Sequence, residues 1–171
     1  MIGKLASCLI ALVVAVSASA KGVYCTTEEF LAKNFSASPQ SKALWLKKAQ
    51  KSTLEKMLGH SVGLRSRYWI DGEKTAWVFE EIGKDLPITI GVVIEQTYIT
   101  DVTILAFRES RGGEVRYPFF TDQFKGVGLK KDLKLDGHID GITGATLSYR
   151  AVKRSSRAAL YLHQELFNES E

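Results

Sequence analysis

Between Arg67 and Phe120 the chain is a succession of short runs rich in β-branched and aromatic residues, RYWID, KTAWVFEEIG, PITIGVVIEQ, YITDVTILAFRES and EVRYPFF. They are separated by Asp71-Gly72, Gly83-Lys84-Asp85 and Arg111-Gly112-Gly113, residues that favour tight turns. Connections this short leave no room for crossover helices, so the runs predict a mostly antiparallel meander. Alternation is imperfect around Ile99–Ala106, which leaves the register of that segment open. This block constrains the fold more than any other feature, because a helix-only or doubly wound architecture cannot contain it.

Helical patterns flank the block. Residues 26–35, TTEEFLAKNF, begin with hydroxyls and acids, as helix starts do. Residues 38–60 carry Leu46, Ala49, Leu54, Met57 and Leu58 at helical spacing, with Pro39 and Ser41 at the front and Gly59 at the back. The spacing predicts one helix over that stretch, its lysines forming the solvated face. After the strands, residues 121–140 are polar, glycine-spaced and aperiodic, and read as a long loop. From about Ala145 to Phe167 the helical period returns, with Ala151, Val152, Ser155, Ala159, Leu162 and Leu166 on one stripe. The order implies an α+β fold, a mostly antiparallel sheet packed with helices and closed by a long C-terminal helix.

The first twenty residues, MIGKLASCLIALVVAVSASA, read as a signal peptide: a lysine, an apolar run, then Ala18-Ser19-Ala20 at a cleavage site. The expectation is an exported, periplasmic chain beginning at Lys21, or a membrane-anchored one if the segment is retained. The apolar core of that segment follows Cys8, which argues against lipid modification there. Three expected divisions follow: a signal peptide over 1–20, an N-terminal helical region over 21–66 and a principal domain over 67–171. Cleavage removes one of 23 basic residues and none of 19 acidic ones, a balance too even to suggest nucleic acid. It also removes Cys8, leaving Cys25 without a partner in the chain. No CxxCH is present and the three histidines are scattered, so neither haem attachment nor a metal cluster is indicated.

The loop before the last helix reads Asp140-Gly141-Ile142-Thr143-Gly144-Ala145-Thr146. A helix N-terminus presents unpaired N–H groups and partial positive charge, which suit a phosphate, while Gly144 and Ala145 keep bulk away and Thr143 is placed to cap. Neither a P-loop ending nor GxGxxG is present. By spacing alone a capped helix start is the better account of these residues.

This heptapeptide resembles the aspartate-x-x-serine/threonine-glycine-alanine-threonine attachment motif of the FMN-binding domain family, the covalent-flavin domain found in the C subunit of the sodium-translocating NADH:quinone reductase and the G subunit of the Rnf complex. Upstream, Glu109, Gly112 and Gly113 resemble its glutamate-x-x-glycine-glycine element, and Phe120, Gln123, Phe124 and Gly126 its phenylalanine-x-x-glutamine-phenylalanine-x-glycine element. The resemblance covers roughly residues 85–165. It implies FMN attached through its phosphate to Thr146 by a separate FAD:protein FMN transferase. It further implies supporting roles for Asp140, Thr143, Gly144 and Ala145 around the attachment; Tyr117, Phe120 and Phe124 are candidates for an apolar wall of the flavin or for core packing, and Glu109 and Gln123 either meet polar edges of the ring or hold the loop. The implied function is an electron carrier working with a membrane-associated redox partner rather than a stand-alone enzyme. A small periplasmic FMN-dependent reductase and a non-redox binding module are the alternatives left open.

Overall fold

The computed structural model describes residues 22–168; the signal-peptide reading lies outside the described residues. Helix α1 (Thr27–Asn34) leads into strand β1 (Gln40–Trp45) and helix α2 (Lys48–Leu58). Strands β2 (Arg65–Asp71), β3 (Lys74–Ile82), β4 (Pro87–Glu95) and β5 (Tyr98–Phe107) follow. A 3-10 turn (Gly113–Arg116), the short helix α3 (Pro118–Thr121) and a second 3-10 turn (Asp122–Phe124) precede the long helix α4 (Thr146–Asn168). The five strands form one antiparallel sheet in sequence order. This is the α+β arrangement that the strand-and-helix order implies.

Both sheet faces are covered, which is why β4 reads as a nearly unbroken apolar run. On one face Ile88, Ile90, Val92 and Ile94 pack with Trp77, with Leu54, Met57 and Leu58 of α2, and with Ala151, Val152, Ala159 and Leu162 of α4. The other face holds a smaller cluster of Phe30, Phe35, Ala76, Val93 and Leu105 under α1. Gly91 is what seats α1: a Cβ there would lie 2.7 Å from the Phe30 ring. Helix α1 opens with a reciprocal cap, Glu29 N–H donating to Thr26 Oγ1 (3.1 Å) and Thr26 N–H donating to the Glu29 carboxylate (2.7 Å).

The imperfect alternation in β5 has a structural cause. Pairing jumps from Val93↔Asp101 to Ile94↔Ile99, and from Thr89↔Ala106 to Ile90↔Ile104, so Thr100 and Leu105 are extra residues in irregularities of the ladder. Each one swaps the face on which the following side chains lie.

Two expectations fail. Residues 38–60 are not one helix: Gln40–Trp45 form edge strand β1, paired from Gln40↔Ile70 to Trp45↔Arg65, and the helix begins only at Lys48. Ladder pairing with β2 supplies backbone partners that local propensity does not foresee. One consequence is that the N-terminal stretch shares a sheet with the strands after Arg65. EVRYPFF is likewise not a strand. Gly112 turns the chain at φ +84°, and Pro118, which has no N–H for a ladder, stands at the first position of α3.

Candidate functional site

Helix α4 starts at Thr146, and the four residues before that helical start form a β-turn. The Ala145 N–H donates to the Ile142 carbonyl (3.0 Å), with Gly144 at the third position. That position has φ +83°, which disfavours a side chain although the space around it is open. Gly144 is therefore required for backbone shape. The next residue, Ala145, accepts from the Tyr149 N–H (2.8 Å) and has no side-chain oxygen to cap the helix. Thr143 does not stand at the capping position expected for it; its side chain is exposed three residues before Thr146. At the start of this 23-residue helix Thr146 and Leu147 are exposed, while Ser148 is buried.

The segment from Glu109 to Phe124 wraps this turn. A Cβ on Gly112 would come within 2.6 Å of Ser148 Oγ and 3.5 Å of Ala145, so glycine lets that strand-to-turn connection lie against the start of α4. Gln123 joins the other end: its Oε1 accepts from Asp140 N–H (2.7 Å) and its Nε2 donates to the Phe119 carbonyl (3.2 Å). Tyr149 adds a third tie, donating from its hydroxyl to the Ile139 carbonyl (3.1 Å).

The residues predicted from the sequence separate into distinct groups. Thr143, Gly144 and Thr146 lie together on the exposed turn with Ala145 buried beneath them, and Asp140 is exposed at its start. Asp140 Oδ1 meets His138 Nε2 at 3.1 Å. Phe120 and Phe124 are fully buried, ring edge to ring face at 5.5 Å, and Phe120 also meets Tyr149 at 6.0 Å. They pack the floor beneath the turn. Tyr117 is 44% exposed and stacks on Phe119, which is 62% exposed, with centroids 6.3 Å apart. Phe119 and the exposed Leu147 escaped the sequence reading, because a Phe-Phe pair does not reveal which ring faces inward until the phase of α3 is known.

Glu109 points away from the turn. Its Oε1 accepts from the N–H groups of Lys84 (2.6 Å), Asp85 (2.6 Å) and Leu86 (2.8 Å), closing the β3–β4 connection. Desolvation pushes this carboxyl up, but the three amides outweigh it and hold it below the ordinary glutamate value.

The site suits an FMN phosphate. Thr146 offers an exposed oxygen, Gly144 leaves open space, the first turn of α4 presents N–H groups and the positive end of its dipole, and Tyr117 and Phe119 provide exposed aromatic surface. Comparison with known proteins gives a family match and a structural likeness. Residues 83–161 match the FMN-binding domain family. The fold is similar to the crystal structure of Shewanella oneidensis NqrC, with a TM-score of 0.59 and 16% identity, covering 84% of this chain and 88% of that one. No curated protein matches the sequence. Over residues 83–161, then, the chain is similar to the FMN-binding domain family.

Proposed function

We propose that this chain is an exported flavoprotein that carries electrons through FMN joined to Thr146 Oγ1 by a phosphoester bond. The observation that carries the reading is the position of Thr146: an exposed hydroxyl at the first helical residue of α4, directly after an open glycine turn. When bound, FMN supplies the redox chemistry; the chain supplies attachment and surroundings. The N–H groups of the first turn and the helix dipole stabilise the phosphodiester charge. Tyr117 and Phe119 offer aromatic faces to the ring, Phe120 and Phe124 support the turn from below, and Gln123 fixes Asp140 relative to α3.

A threonine hydroxyl is a weak nucleophile, and among the described residues no histidine or carboxylate hydrogen-bonds to Thr146. Activation therefore falls to a separate FAD:protein FMN transferase, with Asp140 and Thr143 exposed beside the acceptor for it to engage. Export rests on the leader sequence, and a membrane-associated redox partner on the likeness to NqrC. Among the described residues no helix is long and apolar enough to cross a membrane.

The test is co-expression with the transferase followed by denaturation and intact-mass measurement. The expected product begins at Lys21 and carries one FMN less one water, with flavin fluorescence remaining on the unfolded chain. Thr146→Ala should lose both the mass increment and the fluorescence. Colour that separates from the wild-type polypeptide on unfolding, or that survives Thr146→Ala, would defeat the attachment.

A further inference from the structure

Beyond the flavin turn, the exposed side of α4 meets a second construction. Residues 128–136 fold into a tight hairpin. Leu129 bridges Leu135, Lys130 N–H donates to the Lys134 carbonyl (2.8 Å), and Asp136 N–H donates to the Gly128 carbonyl (3.1 Å). Asp136 Oδ1 accepts from Gly128 N–H (2.7 Å), locking the base. Arg157 docks the hairpin on α4 by donating from Nε to the Leu133 carbonyl (2.9 Å). Between hairpin and helix lies a cavity of about 560 Å³ whose lining includes Lys130, Lys134, Lys153, Arg157 and His138, with Asp136 as its one carboxylate.

The charge arrangement is unfavourable as it stands. Lys130 and Lys134 are opposite each other across the hairpin, and like charges directly opposite are destabilising. Lys153 and Arg157 are one turn apart on α4, where like charges also repel. Among the described residues no carboxylate ion-pairs with Lys130, Lys153 or Arg157, and Lys134 meets only the exposed Asp132 at 2.8 Å. Lys153 Nζ donates to the Tyr149 hydroxyl (3.2 Å). Asp136, hydrogen-bonded to Gly128, sets one negative charge against four basic side chains.

From this geometry we infer a second anion site, one that takes a multiply charged phosphate group. A dianion or larger seated between the two basic pairs relieves both repulsions at once, and ammonium and guanidinium donors form strong charge-assisted bonds to phosphate oxygens. The cavity is large enough for a phosphate ester rather than a bare ion alone. Its basic wall on α4 stands apart from the attachment turn, since Lys153 and Arg157 lie seven and eleven residues beyond Thr146, about 10 and 16 Å along the helix axis, while His138 at its other end meets Asp140. The phosphate comes either from a diffusible compound or from the headgroup of an anionic phospholipid, and the two sources share this chemistry.

The experiment titrates pyrophosphate into the purified mature chain by calorimetry, at constant ionic strength, and measures flotation with vesicles of phosphatidylcholine alone or mixed with phosphatidylglycerol. Binding in either arm supports the site and identifies the source. The double variant Lys130→Ser/Lys134→Ser changes two exposed side chains and leaves the Arg157 tie in place. It should weaken that binding by roughly tenfold or more while retaining the native circular dichroism spectrum. Thr146→Ala should bind as the wild type does, so the result is independent of flavin attachment. No binding in either arm, unchanged binding by the lysine variant, or loss of binding in Thr146→Ala would overturn the inference.

Discussion

Gly144 and Glu109 show how single residues fix two separate connections, the turn before α4 and the loop between β3 and β4. Gly144 holds φ +83° in open space, so a methyl group there meets no neighbour and the penalty is purely conformational, about 1–2 kcal/mol. Gly144→Ala should lower the melting temperature and slow flavin attachment, because the turn that presents Thr146 is displaced; calorimetry and in-gel flavin fluorescence measure the two effects. Glu109 acts at the β3–β4 connection, where its carboxylate satisfies three backbone amides. Its folded pKa is depressed, so its contribution is present above the unfolded value of about 4.3 and is lost as pH falls through the lower folded value. Glu109→Ala should lower the melting temperature by roughly 2–4 °C at pH 7, with the difference from wild type shrinking in acid. A constant difference across a pH series would contradict this assignment.

At the scale of elements, α4 is fastened to the sheet and to the end of α2 by a charged cluster. Glu81 on β3 is 1% exposed, and its carboxylate accepts from Arg154 of α4 (Nη2 3.1 Å, Nε 3.2 Å) and meets His60 Nε2 at 2.6 Å just beyond α2. Arg154 and His60 keep 31% and 47% of their side chains exposed and can turn to solvent, so Glu81→Leu should destabilise the fold by about 1–3 kcal/mol, readable as a shift of the urea midpoint. The Glu81 hydrogen bond, then the Ser61 carbonyl, raise the His60 imidazole above its ordinary value. That contribution is fully present below the unfolded histidine value of about 6.5 and fades as pH rises through the higher folded value. Wild type and His60→Gln should therefore differ most in melting temperature near pH 5.5 and converge toward pH 9. Equal separation at both ends would show that the imidazole charge contributes nothing.

The whole molecule depends on the elements before the family match as much as on those within it. Phe30 of α1 fills the space left by Gly91, and Leu54, Met57 and Leu58 of α2 belong to the same core as α4. A chain beginning at Arg65 should lose cooperative unfolding and bind hydrophobic dyes, because it uncovers the sheet face under α1 and the part of the other face that α2 covers beside α4; a sharp two-state transition in that truncation would show the later half to be self-sufficient. The sequence by itself determined the central strands, α1, the long last helix and the glycine-turn-threonine motif, since each rests on local period, turn chemistry or a contiguous string of residues. Only the tertiary structure decided that Gln40–Trp45 is a strand, because its partners in β2 lie some twenty or more residues away. The same holds for Phe119 outside and Phe120 inside, which the docking phase of α3 selects, and for Glu109, whose three amides come from a turn more than twenty residues upstream. Local pattern specifies what a segment can become, whereas burial and long-range hydrogen bonding select among those possibilities, and both are properties of the packed chain.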